Sequence, residues 1–447
     1  MKSEESQPAS SGSLAVIFFT VFIDLLGFAM VLPLLPVYAK KFGEDESGML
    51  TGLLMASFSI MQFLFAPLWG RLSDRVGRRP VLLVGLAGAA VFYFVFGIAT
   101  TLGGVAGLVG LFVSRIGAGI ACATIPVAQA YIADSTSLQN RAKGMALIGA
   151  AFGVAFCFGP LIGAAAIVLS PATAETSPWP GFVAAALSAL AFGLAVVRLP
   201  ESLRSESKPA AHRLFDGGAW RTALATPSIF ALLLASFVSV FSFGGFETTL
   251  ALLLKDQYAT DSHQQLTTPE PADAIAPSQS RGRSLFQFTD WQVLLFFSYI
   301  GVVLTIAQGG IVRRLSGRVS EGRLALMGAV FSVTGFALLV ISVRQANLAM
   351  LMIASGIEVM GFAFMTPSLQ ALVSRRSDPA KQGSIAGVSQ SVSALARIAG
   401  PLVAIPLFSH DPQLPYVLAA GVMVVGLLVL QFAVRSGRDY TPPAKLA

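Results

Sequence analysis

The chain of 447 residues is 55% hydrophobic and 12% charged, whereas a soluble protein has about a quarter of its residues charged. Its mean hydropathy is +0.73, so water is not its main solvent, and its net charge of +7 points either to nucleic acid or to a membrane topology. A membrane-spanning helix needs roughly 20 mostly apolar residues, and twelve such runs are predicted. A membrane β-barrel is excluded, because alternating segments of roughly ten residues are missing.

Span 1 is predicted over 14–36 and carries Asp24. It is too long for the apolar core of a signal peptide, so it is expected to remain in place. Span 2 covers 48–69. The stretch that follows, GRLSDRVGRRP at residues 70 to 80, sets four arginines and an aspartate between two apolar runs. Span 3 (81–101) is uncharged. Span 4 (104–133) holds Arg115 and Gln129 and ends beside Asp134. Span 5 (142–168) holds Gly149, Gly153, Gly159, Pro160 and Gly163. Its glycines form two small-xxx-small pairs suited to close helix packing, and Pro160 removes one helical hydrogen bond. Span 6 (180–198) carries no charge before its last residue, Arg198.

A polar stretch over 200–226 reads as a linker between two six-helix bundles, 14–199 and 227–435. In the second bundle, span 7 (227–254) places Glu247 after the glycines of FSFGG. The Pro-rich residues at about 256–290 read as a disordered insert on the outer side. Span 8 (291–312) and span 9 (324–343) follow. Span 10 (348–372) holds Glu358 and Gln370, span 11 (384–408) holds Arg397, and span 12 (414–434) is uncharged.

The loops decide between nucleic acid and topology. Those on the side of the N-terminus hold 22 of the 30 Lys and Arg, and those on the other side hold 6. By the positive-inside rule this asymmetry places both termini in the cytoplasm, and nucleic acid is not needed as a partner. Trp69, Trp179, Trp220 and Trp291 fall at or near span ends, as interfacial anchors do. Cys122 and Cys157 lie inside spans, so no disulfide framework is implied. His212, His263 and His410 are scattered in loops without metal-ligand spacing, so no metal or cofactor is expected. There is no phosphate-binding loop and no nucleophile paired with a base, which argues against an enzyme or an ATP-driven pump.

Internal similarity supports the division into halves. PVAQA at Pro126 matches PSLQA at Pro367, and GPLIG at Gly159 matches GPLVA at Gly400, each at an offset of 241. Parallel repeats of six helices are the layout of one large class of secondary transporters.

The loop after span 2 resembles the signature of the major facilitator superfamily, G-x-L-[AS]-D-[RK]-x-G-R-[RK]. Gly70, Leu72, Ser73, Asp74, Arg75, Gly77, Arg78 and Arg79 match every listed position. SRIGAGIACA, with Arg115, resembles the superfamily's second motif. GAAFGVAFCFGPLIGA in span 5 is similar to the motif of drug:proton antiporters, with Ala164 in place of its last glycine. FIDLLGFAMVLPLLPVYAKKFG in span 1 is similar to the tetracycline-resistance-like branch. The resemblance covers nearly the whole chain. It implies an all-α fold of two six-helix bundles, with spans 1, 4, 7 and 10 lining a cavity and spans 3, 6, 9 and 12 facing outward.

The residues add their own reasons. Asp134 ends an inward-running helix, where the helix dipole is negative and a carboxylate needs a cation such as Arg75, Arg78 or Arg79. Asp74 is expected to meet the positive start of span 11. Together these contacts would shut the cytoplasmic side, whereas arginines that only set topology would need neither Asp nor glycine.

A charge inside a span is expensive and marks function by default. At 1.5 Å per residue, Asp24 lies about 15 Å along span 1 and Arg115 about 17 Å along span 4, near mid-membrane from opposite ends. Moving a guanidinium toward and away from a carboxylate would load and release a proton, the alternative being a static ion pair. Glu247 either binds a cationic substrate or reaches the outer surface. Glu358 and Arg397 are expected to pair across spans 10 and 11. Gln129 and Gln370, at repeat-equivalent positions, bond either neighbouring helices or substrate.

The function expected is a monomeric secondary transporter exporting small amphipathic compounds against protons. A proton-coupled uptake symporter for a sugar or organic acid is the alternative, and a non-transporting receptor is a third reading.

Overall fold

Lipid offers the backbone no hydrogen bonds, so apolar runs of this length must close theirs internally as helices. The computed structural model describes residues 11–43, 45–136, 141–169, 176–203, 217–255, 286–378, 382–437 and 439. These residues are nearly all helical, and twelve spans are present when the bent first helix is counted as one crossing. The chain is thus a multi-pass integral membrane protein.

Span 1 consists of α1 (Ser11–Val31) and α2 (Leu35–Phe42), bent by 41°. Pro33 and Pro36 lie at the bend and cannot donate to the helical ladder. The crossing therefore continues past the expected end at 36, and its extension buries Val37, Tyr38 and Phe42. Span 2 is α3 (Met49–Val76) and span 3 is α4 (Arg78–Leu102). Span 4 is α5 (Gly104–Ala121) followed by α6 (Ile125–Asp134), with Pro126 at the start of the second piece. Span 5 is α7 (Arg141–Val168) and span 6 is α8 (Trp179–Arg198).

In the second half, span 7 is α10 (Pro227–Lys255). Span 8 runs from α11 (Asp290–Thr305) through a π-helical stretch, Ile306–Val312, into a last turn at Arg313–Leu315. Span 9 is α12 (Glu321–Gln345), span 10 is α13 (Leu348–Arg376), span 11 is α14 (Gln382–His410) and span 12 is α15 (Leu414–Ser436).

Two expected loops contain more order than their composition suggests. Within the linker, α9 (Gly217–Ala225) is a helix whose Trp220 and Ala223 pack on the main core. At the outer insert, residues 256–285 lie outside the described set, and so does the expectation that they are disordered. The ends that bracket them are tied together. Lys255 pairs with Asp290, and the Phe288 N–H donates to the Leu254 carbonyl at 3.0 Å.

The repeat is visible in the packing. A Cβ at Gly159 in span 5 would lie 2.8 Å from the carbonyl oxygen of Leu26 in span 1. At the equivalent Gly400 in span 11, it would lie 2.8 Å from the carbonyl oxygen of Phe241 in span 7. Both pairs of helices touch through backbone, which only glycine allows. Across the halves, Gly301 of span 8 meets the backbone of Phe156 in span 5, and Gly52 of span 2 meets that of Pro401 in span 11.

The four glycines of the two small-xxx-small pairs in span 5 do not share one role. Gly159 and Gly163 sit tightly against Leu26 and Met30. A Cβ at Gly149 would meet nothing within 4 Å, and at Gly153 it would make only an ordinary contact with Thr305. The first small-xxx-small pair is therefore not a packing seam as expected; both residues line a cavity. Gly159→Ala is expected to destabilise the protein by about 1–3 kcal/mol through overpacking, and Gly149→Ala to leave it unchanged. Thermal melting of the two purified variants checks this, and equal Tm values would refute it.

Candidate functional site

The cavity occupies about 460 Å³ between the halves. It draws on the first half of spans 1, 5 and 11, the later half of spans 4 and 10, and the middle to late turns of span 7. It therefore lies toward the face where the described chain enters span 1 and leaves span 12, here called the terminal face. Toward the opposite face the halves are in contact. Gly52 packs on Pro401, the Lys40 ammonium lies 5.7 Å from the centre of the Phe408 ring, and Ala251 to Leu254 of span 7 are fully buried.

Spans 1, 4, 7 and 10 line the cavity, and so do spans 2, 5, 8 and 11. Span 3 adds Leu82 and Leu86, a departure from its expected outward-facing place, whereas spans 6, 9 and 12 contribute nothing among the described residues. Aromatic rings make up much of the wall. Phe243 stacks on Phe362 at 3.9 Å, and Phe28 lies 5.0 Å from Phe58 and 6.1 Å from Phe156.

Of the five charges inside the spans, Asp24, Glu247 and Arg397 line the cavity. The Ser188 hydroxyl of span 6 donates to the Asp24 carboxylate at 3.4 Å, and Asp24 forms no ion pair among the described residues. The expected pairing with Arg115 is absent. Arg115 is 1% exposed, and its guanidinium carbon lies 4.3 Å from the Phe58 ring centre and 5.8 Å from that of Phe28. Its Nε and one terminal nitrogen have no hydrogen-bond partner. The ring faces take the place of the carboxylate, because an aromatic quadrupole attracts a desolvated guanidinium. They also stand between Arg115 and the cavity.

The second expected pair is absent too. Glu358 is 1% exposed and does not line the cavity. It faces span 9, where Gly335 packs directly on its backbone, and its Oε2 has no hydrogen-bond partner. Arg397 faces the cavity from span 11 instead. Gln129 and Gln370 also line the cavity and bond no neighbouring helix among the described residues. Three more glutamines, absent from the sequence reading, join them: Gln62, Gln308 and Gln390. Gln308 lies in the π-helical stretch of span 8, a departure from α-geometry with no sequence signal strong enough to predict it.

At the terminal face, the signature loop forms a compact ionic cluster. Arg78 pairs with Asp74 and donates from Nε to Asp134 at 3.1 Å, and it also donates to the Ser73 hydroxyl at 2.7 Å. One guanidinium thus ties together spans 2, 3 and 4. Arg79 donates to the Val196 carbonyl of span 6 at 2.6 Å. Arg75 is exposed and makes no ion pair among the described residues. The contact expected from Asp74 involves the start of span 11, where the side chains of 382–384 lie outside the described residues; the ion pairs of the cluster stay within one half.

The missed member of this cluster is Glu201. Its carboxylate accepts from the N–H groups of Arg78 at 2.8 Å and Arg79 at 3.1 Å, capping the positive start of span 3. Gly77 precedes that start at φ +106, and a Cβ there would collide with the Glu201 carboxylate. Gly70 has open space around it. The signal that could have found Glu201 is its place just after span 6, on the face where span 3 begins.

Comparison with known proteins places these features in context. The family described as Major Facilitator Superfamily matches residues 17–401. Tetracycline resistance protein, class C, of Escherichia coli is 30% identical over 430 residues, covering 94% of this chain and 97% of that protein. Human major facilitator superfamily domain-containing protein 10 is 28% identical over 462 residues, covering 90% of this chain and 88% of that protein. A crystal structure of the human organic anion transporter MFSD10 superposes with a TM-score of 0.66 at 25% identity, covering 95% of this chain and 100% of that one.

Proposed function

We propose that this chain, which belongs to the Major Facilitator Superfamily, exports small amphipathic compounds in exchange for protons. It is a membrane transporter of small molecules rather than an enzyme. The observation that carries the reading is Asp24, a cavity-lining carboxylate held only by the Ser188 hydroxyl and free of any cation among the described residues. A group so placed can exchange a proton with the cavity contents. The antiporter-like sequence of span 5 and the similarity to a tetracycline resistance protein support export. The excess of Lys and Arg on the terminal face supports a cytoplasmic location for that face.

In this cycle the cavity faces the cytoplasm, Asp24 gives up its proton there, and an amphipathic substrate enters among the aromatic rings. Closing the terminal face then brings the Asp74 cluster against span 11, and the opposite face parts at Gly52 and Pro401. One chain supplies both halves of the cavity, so a monomer suffices.

The test is purified protein in proteoliposomes with tetracycline and other amphipathic drugs, recording substrate and proton movement together. Counterflow of protons and drug supports antiport. Movement of both in the same direction would make the protein a symporter, and drug movement without protons would remove coupling altogether.

A further inference from the structure

The equivalence of spans 5 and 11 allows their cavity faces to be compared position by position. Gly159 and Gly400 make the same backbone contact with spans 1 and 7, which anchors the offset of 241 in three dimensions. On that register Gly149, Phe152 and Phe156 of span 5 correspond to Gln390, Ser393 and Arg397 of span 11. Each set is spaced i, i+3, i+7 and so lies along one face of its helix. All six residues line the cavity. The same stripe is thus apolar and aromatic in one half, and polar and cationic in the other.

We propose that the span 11 stripe is an acid-binding subsite, so that the cavity takes amphipathic compounds with an anionic, hydrogen-bond-accepting edge. None of Gln390, Ser393 and Arg397 has a hydrogen-bond or ion-pair partner among the described residues, and Glu358 is turned away toward span 9. A guanidinium inside a span needs a partner, and its planar fork matches a carboxylate or sulfonate. The amide and hydroxyl along the same face accommodate further oxygens of that edge. Across the cavity, the stacked Phe152 and Phe156, 6.5 Å apart, offer a face for an aromatic body. The other charged groups lining the cavity are Asp24 on span 1 and Glu247 on span 7. Both repel an anion, which confines the acidic edge to span 11.

This inference rests on the cavity being a substrate site and is independent of proton coupling, so its test uses binding without a pH gradient. Isothermal titration of the purified full-length protein compares three probes of one shape: 1-naphthoate, 1-naphthamide and 1-naphthylmethylammonium. Wild type is expected to bind the carboxylate at least about tenfold more tightly than the amide and more tightly than the ammonium. Arg397→Gln removes that preference, and Arg397→Lys, which keeps the charge, restores part of it. Thermal melting establishes that the variants are folded. A wild type that binds no naphthoate, or prefers the ammonium, would overturn the assignment, as would an unchanged preference in Arg397→Gln. Failure of proton counterflow with the naphthoate preference intact would instead count against the export reading alone.

Discussion

Asp24→Asn is expected to leave drug exchange across the membrane intact while abolishing accumulation driven by a pH difference. The amide keeps the size of the side chain and still accepts from the Ser188 hydroxyl, which approaches Asp24 at 3.4 Å, but it carries no exchangeable proton at neutral pH. With no proton to bind or release at that position, substrate alone is left to carry the reorientation. Vesicles loaded with unlabelled drug should take up labelled drug at near the normal rate. With an imposed pH gradient, accumulation should fall by about tenfold or more, toward the level without a gradient. Normal proton-driven accumulation by this variant would move coupling to Glu247, the other carboxylate lining the cavity. Glu358 does not offer a further alternative, since it is buried against span 9.

Arg78→Gln is expected to have the second large effect, because one guanidinium serves two carboxylates. Its loss leaves Asp74 and Asp134 facing each other without a cation at the ends of spans 2 and 4. Each charge-assisted bond removed costs about 1.5–3 kcal/mol. Transport should fall by about tenfold or more at equal membrane insertion. Arg78→Lys should rescue little, since a single ammonium cannot reach Asp74, Asp134 and Ser73 in the fixed geometry of a guanidinium fork. Asp74→Asn should also impair transport, and more mildly, since Arg78 retains Asp134. Drug export by cells expressing matched amounts of each variant measures this. Unimpaired export by Arg78→Gln would reduce the loop to a topological signal.

Much of the architecture is legible in the chain because the bilayer imposes it. A run such as 81–101 has to be a helix in lipid, and its length alone makes it a crossing. The repeat is legible because Gly159 and Gly400 each meet a backbone carbonyl at 2.8 Å from where a Cβ would stand, so both halves require the same residue. The signature loop is legible for a similar reason: Gly77, Arg78, Asp74 and Asp134 form a single local cluster with strict demands on charge and on φ. The bend in span 1 follows from Pro33 and Pro36, although the helix resumes beyond them because Val37, Tyr38 and Phe42 find a core to pack on.

The amino-acid sequence by itself determined the solvent, the number of crossings, the two halves and the set of charges too costly to be incidental. Those follow from transfer energies and local periodicity, which are properties of each segment alone. Only the tertiary structure decided which charges meet. Depth along a helix placed Asp24 beside Arg115 and Glu358 beside Arg397, but a side chain also has an azimuth about its helix axis. That azimuth is set by how neighbouring helices pack. It turned Arg115 onto Phe58 and Phe28, Glu358 toward span 9, and Asp24 and Arg397 into the cavity. The cavity's chemistry is therefore a product of helix rotation, a quantity shared between segments and written in none of them singly.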